Sequence, residues 1–158
     1  MKRSVYIETT IPSYYCDQRD ELRHDIARTR EWWERERHEY NCFTSAIVLE
    51  ELSQGDYPQQ VHVLEFVSDI PVLELTEEVA HIAEVYQAQT IMPKAPVADA
   101  LHLAIASVYK IDFLLTWNCR HLANANKFAA IETLNLRLGL HVPRLVTPWQ
   151  LQPIREDE

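Results

Sequence analysis

Residues 96–108 read Pro-Val-Ala-Asp-Ala-Leu-His-Leu-Ala-Ile-Ala-Ser-Val, which is apolar on nearly every side of a helix. A helix with no polar face has to be buried all round, so the rest of the chain must wrap it. Pro96 suits a helix start, where a missing N–H costs nothing. The one carboxylate, Asp99, falls in the first turn and so lies at the open end of this core helix. Ile111-Asp112-Phe113-Leu114-Leu115-Thr116-Trp117-Asn118 follows, a short β-rich run that ends in polar groups. An acid at the end of a buried helix, beside a buried strand ending in Thr116-Trp117-Asn118, marks the edge of a site.

The elements around this helix alternate between strand and helix. Residues 3–10 (Arg-Ser-Val-Tyr-Ile-Glu-Thr-Thr) form a strand signal, broken by Ile11-Pro12-Ser13. A second strand is expected over 39–45. It leads into a helix over 46–54 that stops at Gly55. Further helices are expected over 59–68, 76–90 and 127–138, with short extended pieces at 70–75 and 142–149. The helix opened by Thr76-Glu77-Glu78 should bury Val79, Ile82, Ala83 and Tyr86. This alternation predicts an α/β fold with a parallel sheet. The chain reads as one domain over 1–152, with a frayed acidic tail at 153–158.

Composition narrows the chemistry. Two glycines among 158 residues leave no glycine-rich phosphate loop or dinucleotide fingerprint. A net charge of -9 disfavours a bulk electrostatic grip on nucleic acid, whereas acids gathered in one pocket would draw a divalent cation. Cys16, Cys42 and Cys119 are odd in number and widely spaced, which predicts a reducing, cytoplasmic setting. No run of residues is long and apolar enough for a membrane span.

Other groups that could meet Asp99 come from strand ends and helix faces. Glu8, with Thr9 and Thr10, lies at the carboxyl end of the first strand, where sites gather in open α/β sheets. Glu50-Glu51 ends an apolar helical run. Adjacent helix positions diverge by roughly 100°, so one can face inward, and Glu51, flanked by Leu52, is the choice. Between 18 and 39 six arginines stand among seven acids. This reads as a solvated helix laced with ion pairs, the sharper alternative being that Arg19, Arg23 and Arg30 grip phosphates. Lys94, just ahead of the core helix, is a further candidate phosphate contact.

Four of these stretches together resemble the PIN domain. They are Glu8-Thr9-Thr10, Ser45 through Glu51-Leu52, Asp99-Ala100-Leu101-His102-Leu103-Ala104-Ile105-Ala106 and Thr116-Trp117-Asn118, spread over residues 4–149. Length and layout are similar to the VapC-like toxins of bacterial toxin–antitoxin pairs. The resemblance implies a central parallel β-sheet sandwiched by α-helices, with acids at one end holding Mg²⁺ or Mn²⁺ for hydrolysis of an RNA phosphodiester. On that reading Glu8, Glu51, Asp99 and Asn118 are the catalytic set, and Glu8, Glu51 and Asp99 the metal-ligating or supporting carboxylates. Thr9, Thr116 and His102 would support them, His102 either as a donor behind the acids or as a satisfied core histidine; His121 is a weaker candidate. A small antitoxin and a homodimer are the implied partners, with Trp32-Trp33 or Phe43 available for an interface.

Two positions depart from the family pattern. Glu8 stands where the family usually has Asp, and Asn118 replaces a fourth acid. An endoribonuclease toxin is therefore one reading. A PIN-like binding or scaffold protein with weakened or lost catalysis is the second, and a nuclease acting on DNA the third.

Overall fold

The computed structural model describes residues 1–89, 92 and 95–155. Five strands, β1 (Arg3–Ile7), β2 (Tyr40–Ser45), β3 (Val72–Leu73), β4 (Phe113–Leu115) and β5 (Arg144–Val146), form one sheet in the order β3-β2-β1-β4-β5. Every pairing is parallel, with Val5 opposite Cys42 on one side and Phe113 on the other. Seven α-helices connect and cover the strands: α1 (Thr10–Cys16), α2 (Arg23–Glu31), α3 (Ala46–Ser53), α4 (Gln60–Val67), α5 (Glu77–Ala88), α6 (Val97–Val108) and α7 (Ala125–Arg137). Val5, Tyr6 and Ile7 are all fully buried. Successive strand side chains point to opposite faces, so both faces of the sheet are covered, as an all-parallel sheet requires.

α6 is the buried helix its composition dictates. Eight of its twelve residues are buried, and α5 packs along it through the stripe Val79, Ile82, Ala83 and Tyr86. Local chemistry sets the boundaries of its neighbours. The Ser45 hydroxyl accepts from Val48 N–H to start α3, and Thr76 accepts from Val79 N–H to start α5. After α7, Gly139 takes a left-handed φ of 69°, and Leu140 N–H closes back onto Asn135 O at 2.8 Å.

Three expectations change. The break after β1 is the first turn of α1, which accommodates Pro12 because early helical N–H groups need no intrahelical acceptor. The charged stretch is not a single solvated helix: α2 passes into a π-helical turn over Trp32–Glu36 and a 3₁₀ turn over Arg37–Glu39. The wider π turn sends two adjacent tryptophans into the core, with Trp32 fully buried and stacked on Tyr40. Trp32 and Trp33 are therefore interior groups of one chain rather than an exposed interface, and Phe43 packs against the same core. Arg28 is buried as well. Its guanidinium pairs with Glu36 and Glu31 and donates to Pro148 O and Leu151 O, tying the C-terminal segment to α2. Of the tail expected to fray, residues 156–158 lie outside the described residues.

Candidate functional site

The strand order reverses at β1, whose chain neighbour β2 lies on one side while β4 lies on the other. The crevice beyond the carboxyl ends of strands at such a switch point is where open α/β sheets bind ligands. Glu8 and Thr116 are the first residues past the ends of β1 and β4, and Glu8 N–H still donates to Leu115 O. The Glu8 side chain is buried. Its Oε1 accepts from Thr10 N–H at 2.9 Å, from the Thr10 hydroxyl, and from the Thr116 hydroxyl at 2.8 Å. Those hydroxyls are themselves fixed, Thr10 Oγ1 accepting from Trp117 N–H and Thr116 Oγ1 from Asn118 N–H. Burial pushes the Glu8 pKa up; His102 and the threonine hydrogen bonds pull against that without overcoming it.

Asp99 enters from the first turn of α6, its N–H bonded to Pro96 O. It is 7% exposed, and its Oδ2 is buried with no hydrogen-bond partner. Burial again raises the pKa, while Asn118, His102 and His121 act in the opposite sense and Glu51 adds to the rise. Asn118 Oδ1 accepts from His121 N–H at 3.0 Å.

Glu51 comes from the last turns of α3 and faces inward, while Glu50 is exposed. Its Oε1 accepts from the Thr9 hydroxyl at 2.7 Å and lies 2.6 Å from His102 Nε2. Burial works to raise the Glu51 pKa, but His102 and Thr9 outweigh it and hold the carboxyl below its ordinary value. Behind Glu51 runs a buried chain: His102 Nδ1 is 2.6 Å from Tyr6 Oη, which is 2.7 Å from Ser45 Oγ. Burial drives the Tyr6 pKa well up, so it stays a phenol. One assignment gives every donor an acceptor. Ser45 donates to Tyr6, Tyr6 to Nδ1, and His102 donates from Nε2 to Glu51, while Ser45 Oγ accepts Val48 N–H.

The PIN domain family model matches residues 5–127, most of the chain and every element of this cluster. The chain belongs to the PIN domain family. The fold is shared with a toxin–antitoxin complex from Klebsiella pneumoniae at 17% identity, over 93% of this chain and 99% of that one, with a TM-score of 0.59. VapBC2 of Rickettsia felis, solved bound to a DNA fragment from its promoter, aligns at 14% identity over 91% and 98% of the two chains, with a TM-score of 0.54. VapC20 of Mycobacterium tuberculosis, described as a sarcin–ricin loop cleaving toxin, aligns at 14% identity over 74% and 92%, with a TM-score of 0.57. No protein of curated function matches the chain in sequence.

This PIN domain thus brings Glu8, Glu51, Asp99, Asn118, Thr9, Thr116 and His102 to one end of its sheet through a single hydrogen-bonded and electrostatic network. It does not bring in the arginines. Arg19 is bonded to Asp17 and Arg23 to Asp20, each an exposed pair close in sequence. Arg30 donates to Tyr15 O and Asp17 O instead. Lys94 lies outside the described residues. The sequence reading quoted Ser45 as the first residue of a motif without giving it a role, and it missed Tyr6. Tyr6 sits inside a strand whose alternation marks it as core, and nothing in the pattern distinguishes a tyrosine that hydrogen-bonds a histidine 96 residues away.

Hard oxygen donors at this site suit Mg²⁺ or Mn²⁺. Among the described residues no three His, Cys, Asp or Glu side chains form a ready-made metal cluster. The fit is therefore to a cation that keeps most of its waters and takes only one or two carboxylates, which is the habit of Mg²⁺. The buried, unpartnered Oδ2 of Asp99 is the atom such a cation would satisfy.

Proposed function

We propose that this PIN domain is a divalent-metal-dependent endoribonuclease, the toxin of a toxin–antitoxin pair, with a small antitoxin as its partner. The observation that carries the reading is Asp99: a desolvated carboxylate with an orphaned oxygen, placed at the switch-point crevice within reach of Glu51, Asn118 and His102. A protein leaves such an atom unsatisfied where a ligand is to meet it. Its structural neighbours, two toxin–antitoxin assemblies and one sarcin–ricin loop cleaving toxin, favour RNA and an antitoxin over the other choices.

Asp99 and Glu51 would hold Mg²⁺ or Mn²⁺, with Glu8 at its side. When bound, the cation supplies a lowered pKa for water and a positive charge against the phosphate. The chain's own residues do the positioning. Thr9 and His102 clamp one Glu51 oxygen and leave the other for the site. Thr10 and Thr116 fix Glu8 in the same way. Asn118, where the family pattern has an acid, orients Asp99 with an amide and adds no negative charge, which eases the approach of a phosphodiester.

The test is cleavage of a structured RNA by purified protein in Mg²⁺ or Mn²⁺. Asp99→Ala and a chelator should each reduce cleavage by at least a hundredfold, while far-UV circular dichroism stays unchanged. Cleavage that survives Asp99→Ala refutes the assignment. A folded protein that binds neither metal nor cleaves RNA would instead be a binding or scaffold PIN domain, and cleavage confined to DNA would transfer the chemistry to the other sugar.

A further inference from the structure

The acidity of this protein is unevenly spread. Residues 113–155 carry Arg120, Lys127, Arg137, Arg144 and Arg155 against one acid, Glu132. The chain's net charge is -9, so the rest of it is more acidic still. Among the described residues none of these five cations is paired with a carboxylate, whereas Arg19, Arg23 and Arg28 all are. Positive charge therefore stands almost without acids on the β4–α7–β5 side of the molecule, whereas Arg30, Arg35 and Arg37, which likewise make no salt bridge among the described residues, stand in a segment that holds seven acids.

A cavity of about 310 Å³ opens on that side, between the start of α7 and β5. Its size falls at the lower end of small-ligand sites, roughly 300–1,000 Å³. Leu122 and Val146 form its apolar wall, with Asn124 and Gln150 supplying amides and Phe128 and Arg144 a π face and a cation. Arg144 Cζ stands 5.2 Å from the centroid of the half-buried Phe128 ring. The cavity wall is continuous with the acidic cluster: Leu122 and Ala123 N–H both donate to Asn118 O, and Thr116 N–H donates to Val146 O. The two sites share one loop and one strand end.

We propose that this cavity is a nucleotide subsite of the RNA path, taking an unpaired base against Phe128 and Arg144 while Arg144 and Lys127 meet the flanking phosphates. The proposal rests on the nuclease reading for its choice of RNA. Aromatic and guanidinium planes are the sequence-tolerant partners of unstacked bases, and uncommitted cations supply the backbone grip that the acidic cluster cannot. A polyanion approaching an acidic protein is drawn in where cations stand with few acids beside them, and Asn118 lies between that stretch and the carboxylates.

The experiment is fluorescence anisotropy with a short labelled single-stranded oligoribonucleotide in a chelator, so that no cleavage occurs, with KM for cleavage measured alongside. Phe128→Leu, which keeps the apolar volume, should weaken binding about tenfold through loss of one stacked base. Arg144→Gln should weaken it and lower the slope of log affinity against log salt by about 0.7, the share of one phosphate contact. Arg23→Gln, removing a paired arginine, should leave affinity unchanged. Wild-type affinity in both Phe128→Leu and Arg144→Gln, or failure of the wild type to bind the oligonucleotide, overturns the subsite. If Asp99→Ala abolishes cleavage while KM ignores both cavity variants, the nuclease reading stands and the subsite falls. If nothing is cleaved but binding depends on Phe128 and Arg144, the subsite stands and the nuclease reading falls.

Discussion

Tyr6→Phe removes one oxygen from the centre of the buried chain behind Glu51. In the wild type that oxygen bridges Ser45 Oγ at 2.7 Å and His102 Nδ1 at 2.6 Å, and both Tyr6 and His102 are fully buried. Phenylalanine fills the same ring volume, so no cavity beyond the lost hydroxyl is created. Ser45 keeps its bond from Val48 N–H, but Nδ1 of His102 is left in the core with no donor. A buried acceptor stranded in this way costs about 1–3 kcal/mol, and the second lost hydrogen bond adds about 1 kcal/mol. The expected loss is about 2–4 kcal/mol, or a fall in Tm of roughly 4–16 °C for a domain of this size. Urea unfolding with an unchanged m-value would report it cleanly. A double-mutant cycle with His102→Leu adds a sharper check, because removing the imidazole also removes the stranded acceptor and the two losses should fall short of additivity by about 1 kcal/mol. A Tyr6→Phe loss under about 0.5 kcal/mol, or strict additivity in the cycle, would refute the hydrogen-bonded chain as drawn.

Glu8→Gln tests burial electrostatics through pH. Because the folded-state pKa of Glu8 is raised, the metal-free wild type loses stability relative to the variant as pH climbs from the ordinary glutamate range through that raised value; parallel stability–pH curves would contradict this. Arg28→Met should cost about 3–5 kcal/mol in urea unfolding, since it strands Glu36 and frees the carbonyls of Pro148 and Leu151. A partial recovery on adding Glu36→Gln would identify the stranded charge as the cause. Asp99→Asn should raise the Tm of the metal-free protein and abolish the further rise that Mn²⁺ gives the wild type, both read in one thermal-shift series.

Much of this architecture is legible because periodicity and capping are local. The all-apolar run of α6 demanded burial, Thr76-Glu77-Glu78 announced the start of α5, and the alternation of strands and helices implied a parallel sheet. Glu51 could be chosen over Glu50 because Leu52 beside it had to face the core, and the fold turns that side inward. What failed was everything set by distant partners. Trp32, Trp33 and Arg28 sit in a stretch so charged that composition points to solvent, yet the π turn and the C-terminal carbonyls draw them inside. Tyr6 carries no sequence signal for its role, and Ser45 is visible only as the start of a motif, because the hydrogen-bonded chain exists only once β1, β2 and α6 are side by side.

The three carboxylates differ in how their burial is compensated, and that difference sorts structure from chemistry. Glu8 is braced by three donors to one oxygen, and Glu51 by a hydroxyl and an imidazole to one oxygen, so each is fixed in place by the fold. Asp99 is also buried but carries an oxygen with no partner. In a protein selected for stability alone that oxygen would be bonded or replaced, because an unmet buried acceptor is among the costlier defects a core can contain. Its retention at the open end of a helix that is otherwise all core makes sense when the missing partner is a ligand, and its negative charge makes that ligand a cation. The neighbouring Asn118 fits the same logic. A fourth carboxylate would raise the cost of assembling the metal-free cluster still further, whereas an amide braces Asp99 without adding to the repulsion. Trp32 Nε1, Arg37 Nε and His121 Nδ1 are also buried without a partner among the described residues, but Asp99 Oδ2 alone of the four is a carboxylate oxygen, and the well-bonded groups around it hold that side chain where a cation would meet it.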